Sequence, residues 1–185
     1  MPTASEGELV RALTGTWQLV GWTIEYPPSG RVTEPFGTDP EGLLVYTADG
    51  YMSAVMQRRN RPPLSRADPH AVSDAEKAAA FATYLHYSGL WRVADGNVIH
   101  DVRHAMNPNL IGTRQVRSVA LDGDSLELGA VEQLETPGTS RRHRILWRRA
   151  PQSYPLFVTP GRFGGGQSSA RGGHLRGRRK SIPGD

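Results

Sequence analysis

The chain has 185 residues, 22 Lys/Arg against 18 Asp/Glu, no cysteine and a pI near 9.8. That length suits one domain with a substantial core, and the missing cysteines exclude disulfides, thiolate metal sites and a cysteine nucleophile. No apolar run approaches the roughly 18 residues of a membrane span, and Met1 to Leu13 lacks a signal-peptide core, so a cytoplasmic protein that makes no membrane contact is expected.

The basic pI comes from one end. Residues 150–185 carry six of the 22 Lys/Arg and one of the 18 acidic residues, which leaves 1–149 close to neutral. The division expected is a folded domain over 9–149 and a Gly/Arg-rich tail over 150–185. The tail's few apolar residues (Leu156, Phe157, Val158, Phe163) cannot build a core, so it is predicted to be disordered. Nucleic-acid binding through Arg176 to Lys180 is the less favoured reading of a solvated basic extension.

From the amino terminus, strand-like runs fall at Thr16–Glu25, Leu43–Thr47 and Tyr51–Gln57, with Arg31–Glu34 as a candidate extra strand. Ser73-Asp74-Ala75-Glu76 then reads as a capping box opening an Ala-rich helix to about His86, a lid or plug for one end of the fold. Five more strands are predicted: Gly89–Ala94, Asn97–Met106, Thr113–Leu121, Leu126–Gln133 and Arg141–Arg149. Gly and Asp at 48–50, 95–96 and 122–124 supply the tight reversals between neighbours. The sum is an all-β, eight-stranded antiparallel barrel, or nine-stranded if Arg31–Glu34 counts, with one helix around 74–86.

The hairpin over residues 97–121 carries the chemistry. Side chains alternate between the faces of a strand, so Asp101, Arg103, Arg114 and Ser118 are expected in water. His100, Val102, His104, Met106, Gln115, Arg117, Val119 and Leu121 are expected inside, with His104 opposite Gln115. Polar groups carried inward cost free energy unless paired, solvated or used. A four-residue turn pairing Leu121 with Leu126 would bring Gln115 opposite Glu132, giving a row His104, Gln115, Glu132 with Arg117 one pleat away. Such a set can serve general base catalysis and bind an anionic oxygen. It can equally be a satisfied structural network.

Other candidates are weaker. His100 and His104 lie about 13 Å apart on a strand and cannot share a metal, and no proximal haem ligand stands out, so neither metal nor cofactor is expected. Tyr51 and Tyr87, with Tyr46 and Tyr84, could point phenols at a ligand or simply pack. His143 reads best as a core histidine. Trp17 with Arg148 or Arg149 reads as a structural cation–π contact closing the barrel base.

An ordered set of short motifs then points to a family. Gly15-Thr16-Trp17 and Trp147-Arg148-Arg149 flank Pro35-Phe36-Gly37, Asp39-Pro40-Glu41-Gly42, Tyr46 to Ser53, Tyr87-Ser88-Gly89 and Pro108 to Thr113. Over residues 9–149 the set resembles the bacterial and fungal lipocalin-like domain family, a calycin-type β-barrel. That resemblance implies a barrel that binds a small, largely apolar organic molecule. Related barrels also act as cyclases and isomerases in secondary metabolism. Two functional readings follow. In the first, His100, His104, Gln115, Arg117, Glu132, Tyr51 and Tyr87 line a ligand cavity. In the second, a cofactor-free cyclase, isomerase or dehydratase works on a polyketide-like substrate, with His104 or Glu132 as base and Arg117 as anchor. Nothing in the sequence sets an oligomeric state.

One expectation concerns the tail alone. Limited proteolysis is expected to remove material beyond about Pro151 and leave one cooperative unfolding transition; a chain ending at Arg149 that fails to fold would refute it.

Overall fold

A computed structural model describes residues 5–151, apart from 135, 137 and 138; the tail from residue 152 onward lies outside the described residues. Helix α1 (Glu6–Leu13) is followed by strands β1 (Gly15–Tyr26), β2 (Arg31–Thr33), β3 (Glu41–Tyr46) and β4 (Tyr51–Gln57). Helix α2 (Asp74–Ala82) separates these from β5 (Tyr84–Ala94), β6 (Asn97–Ala105), β7 (Arg114–Asp122), β8 (Ser125–Gln133) and β9 (Ser140–Arg149). The strands are antiparallel in the order β2-β1-β3-β4-β5-β6-β7-β8-β9, and β9 pairs back onto β1. The result is a closed eight-stranded barrel with β2 as an extra strand on β1, as the turn spacing predicts. Among the described residues, no helix is long and apolar enough to cross a membrane.

Two helical expectations need correction. The Ala-rich helix stops at Ala82, and Tyr84 to His86 belong to β5. Helix α2 is no plug, because none of its residues is buried and Phe81 is half exposed. It stands at the end of the barrel where β4 ends and β5 begins. Arg61 anchors it, donating to Ala80 O and Thr83 Oγ1, while Glu76 accepts from the Ser65 backbone and hydroxyl.

The element that does close an end is α1, which the sequence reading passed over. A capping box of Ser5 and Glu8 starts it. Leu13 is fully buried, and Leu9 and Val10 pack on the core. At this closed base the Trp17 indole donates to Leu13 O at 2.9 Å. Arg149 lies over the Trp17 ring at 4.1 Å and donates to Ala12 O and Thr14 O. The cation–π closure thus involves Arg149, and the same guanidinium satisfies carbonyls that a helix end leaves free.

Packing divides the interior into two halves. Trp17, Leu44, Tyr46, Trp91, Val93, Val98, Leu126, Leu128 and Trp147 fill the base half and are nearly inaccessible. Along β7 the inward residues Gln115, Arg117, Val119 and Leu121 all remain only half-buried. Leu121 and Val119 lie on the base side, opposite Leu126 and Leu128, and Gln115 lies nearest the opposite end, the mouth.

Trp17→Ala is expected to destabilise the domain by about 3–5 kcal/mol, since it removes a large buried ring together with the platform for Arg149. Urea unfolding measures this, and a loss below about 1 kcal/mol, the range of surface substitutions, would show that base closure does not depend on it.

Candidate functional site

The inner wall toward the mouth is built by β5 to β9 and carries a line of polar side chains. Most buried of these is His100 on β6, 1% exposed. Its Nε2 lies 2.7 Å from the Tyr46 hydroxyl of β3, and its Nδ1 lies 3.0 Å from the Tyr87 hydroxyl of β5. Burial, with a smaller contribution from the Arg117 charge, pushes the imidazole pKa down to about 3. Burial also raises Tyr46 well above the ordinary phenol range, aided by Tyr87 and opposed by Arg117. At neutral pH His100 and Tyr46 are therefore uncharged.

Arg117 on β7 stands one inward-facing ladder pair nearer the base, opposite Val98. Its Nη2 donates to Gln115 Oε1 at 3.2 Å, and Gln115 in turn donates to Thr113 Oγ1 at 2.9 Å. A longer 3.5 Å contact runs from Nη1 to Val116 O. The Nε–H is buried and has no partner. Buried donors without acceptors are rare and call for an explanation. The other orphan among the described residues, Trp147 Nε1, sits in the apolar base.

At the rim, Glu132 of β8 accepts from Arg141 Nε and Nη2 at 2.8 and 2.9 Å and lies 3.2 Å from His143 Nε2. The Arg141 hydrogen bonds hold the Glu132 carboxyl below the usual carboxylate range. Trp22 Nε1 donates to His143 Nδ1 at 3.2 Å, so Nε2 carries the proton that faces Glu132. Burial lowers the His143 pKa, although the Glu132 contact works the other way.

The structure separates the sequence-predicted residues. His100, Gln115, Arg117 and Tyr87 face the interior, whereas His104 and Tyr51 do not. The expected pairing of His104 with Gln115 is replaced by His100 opposite Gln115 and Asp101 opposite Arg114. The reason is a β-bulge on β6: Ser88 pairs with His104 but Gly89 pairs with Val102, so Arg103 is an extra residue and the alternation shifts there. Position 89 must be glycine for this, since a Cβ would stand 2.1 Å from Asp101 O. Downstream of the bulge His104 turns to the outer wall, 3.5 Å from Ser88 Oγ. There it joins Tyr51, Ser88, Leu90 and Arg103 around an open depression of about 500 Å³.

The row His104, Gln115, Glu132 is likewise not formed. Leu121 does pair with Leu126 as expected, but the β7–β8 ladder runs only as far as Ser118 and Gly129. Glu132 sits at the rim, paired across to Arg141 on β9. Asp101, Arg103 and Arg114 do lie outside, and Asp101 is bridged to Arg114 at 3.2 Å. Sequence reasoning missed Tyr46 as the partner of His100, and Trp22 and Arg141 as partners of His143 and Glu132. For Arg141 a signal was available, because it shares inward parity with His143, Ile145 and Trp147 along β9. Among the described residues no cluster of His, Cys, Asp or Glu could hold a metal ion.

Comparison with known proteins agrees with this architecture. A family model described as a lipocalin-like domain matches residues 14–150, which spans the barrel from β1 to β9. A 4'-hydroxy-3'-methoxypropiophenone carrier protein of Aspergillus oryzae is 37% identical over 109 residues, covering 98% of that protein and 55% of this chain.

The depressed His100 pKa makes stability depend on pH. The unfolded chain takes up a proton here near pH 6.5, the folded chain only near 3. Between those values the unfolded state binds the extra proton, so stability is full above 6.5 and falls as pH drops, by roughly 1 kcal/mol per unit. His100→Gln is expected to flatten this part of the stability curve, as followed by urea unfolding from pH 7 to 4. An unchanged slope would show that His100 protonates freely in the fold.

Proposed function

The chain belongs to the lipocalin-like domain family, and on that footing we propose that its barrel carries a small, largely apolar organic molecule. The ligand enters at the mouth, rests on inward apolar side chains such as Leu85 and Trp22, and sets its polar end against Arg117. The observation that carries this reading is the Arg117 Nε–H, buried on the inner wall with no acceptor. His100 with Tyr87, and Gln115, are the neighbouring polar contacts. The relative from Aspergillus oryzae, named as a carrier of a phenolic ketone, supports a ligand of that size and a role in secondary metabolism.

Carriage is favoured over catalysis by how the inward bases are already engaged. Both ring nitrogens of His100 and of His143 are occupied, and Glu132 is held by Arg141. His104, the base of the enzyme reading, faces the outer wall. A general base must reach the substrate proton directly or through one water, and none of these groups is placed to do so without giving up a partner.

Binding of 4'-hydroxy-3'-methoxypropiophenone, followed by tryptophan quenching or calorimetry, is expected to weaken about 10- to 150-fold in Arg117→Met. That corresponds to roughly 1.5–3 kcal/mol for a charge-assisted hydrogen bond. His104→Gln and Tyr51→Phe, on the outer wall, are expected to leave affinity unchanged. Loss of affinity in the outer pair with none in Arg117→Met would move the site outside the barrel.

A further inference from the structure

The protons on the three deep rings do not divide evenly. Neutral His100 offers one N–H and one lone pair. The 2.7 Å contact between Tyr46 and Nε2 has the length of an O–H donor, and the 3.0 Å between Nδ1 and Tyr87 that of an N–H donor. Either tautomer leaves one phenol donating to the ring and the other accepting from it; the order taken for the proposal below is Tyr46 O–H to Nε2, then Nδ1–H to the Tyr87 oxygen. In that order Tyr87 comes last, and its own hydroxyl proton is uncommitted.

Two strands away Arg117 carries a full positive charge. Its acceptors are the neutral oxygens of Gln115 and Val116. Among the described residues no carboxylate pairs with it; Glu132, at the rim, is matched to Arg141. The inner wall therefore holds an unneutralised cation with a free Nε–H, together with a spare Tyr87 hydroxyl, and both are donors. A ligand group that is itself a donor would find no partner here, whereas an anionic oxygen would satisfy both and neutralise the charge.

We infer that the barrel takes its ligand as an anion. An acidic phenol, enol or carboxylic acid releases its proton to bulk solvent on entry, and the resulting oxygen accepts from Arg117 Nε–H and Tyr87 O–H. The inference rests on the reading of the barrel as a small-molecule carrier and gives that carrier a charge preference. An opposite charge in a poorly solvated site favours the ionised form of the ligand, by one to three pKa units in typical cases. The two histidines facing Arg117 do not compete for the released proton, since burial keeps both low.

The test uses 4-nitrophenol, whose phenolate absorbs visible light where the phenol does not, added to the full chain one pH unit below the dye's own solution pKa. The bound dye is expected to show the phenolate band, to titrate at least about two units below the free dye, and so to release roughly 0.8 proton per site in weak buffer. In Arg117→Met the bound dye is expected to revert to the phenol spectrum and bind at least about tenfold more weakly. Arg117→Lys, which keeps the charge, retains the band, and Tyr87→Phe shifts the bound titration upward by a smaller amount. 4-Nitroanisole, which cannot ionise, is expected to bind at least about tenfold more weakly than the dye. A bound wild-type dye with the phenol spectrum, or equal affinity for 4-nitroanisole, overturns the inference and leaves the carrier reading standing. Failure of the dye, 4-nitroanisole and neutral aryl ketones alike to bind overturns both. The wild-type spectrum decides the matter even if Arg117→Met fails to fold.

Discussion

The pairing of β1 with β9 is the constraint on which the rest of the molecule depends. These strands stand near opposite ends of the domain in sequence, so their contact carries the largest loop-closure entropy in the fold. The pairing is also irregular, with a bulge between Leu19 and Gly21. Arg149 secures it at the base. Its guanidinium lies on Trp17 of β1 while its N–H groups bond the last carbonyls of α1, so one side chain ties the final strand to both the first strand and the plug. Open the ladder and two long edges appear, with the polar lining of the mouth half exposed between them.

Closure creates the gradient that the site uses. The base half of the interior is an aromatic and aliphatic core, where the Trp147 indole is a polar orphan among the described residues. At the adjacent pairs Val98–Arg117 and His100–Gln115 the wall turns polar, and its β7 side is half-accessible. A low-dielectric base makes electrostatics at that boundary stronger than they would be in water. It accounts for the neutral His100 with both nitrogens satisfied by phenols, and it raises the cost of leaving Arg117 without a counter-charge.

How far the sequence disclosed this depends on where the chain is regular. The alternation along β7 placed Gln115, Arg117, Val119 and Leu121 inward, and the Asp122–Ser125 turn fixed Leu121 against Leu126, because both follow from parity and turn length alone. Parity failed on β6. The device that shifts it is a clash-free glycine on the neighbouring strand, Gly89 against Asp101 O, and a contact between strands leaves no mark in the periodicity of either. His104 went to the wrong wall for that reason, and the His104 base of the enzyme reading went with it. Helix α1 was different: Ser5 and Glu8 repeat the capping signature recognised at Ser73 and Glu76, so it was legible and overlooked. In the second instance Glu76 does not complete the box but bonds Ser65, a use of the same two residues that only tertiary structure reveals.

The rim and the interior also divide the polar labour in a way that suits a carrier. At the rim, Arg141, Glu132, His143 and Trp22 satisfy one another, so a ligand passing the mouth meets charges that are already matched and has no partner to displace. Further in, the sheet ladder places Arg117 opposite Val98 on β6, with Gln115 and His100 as the adjacent pair. Polar affinity is thereby concentrated at one depth, below a mouth that holds little of its own. If the barrel carries a ligand as proposed, burial of its apolar body would draw it past the rim to the one unmatched charge. Its release would then cost the hydrogen bonds made at that depth plus the apolar area re-exposed.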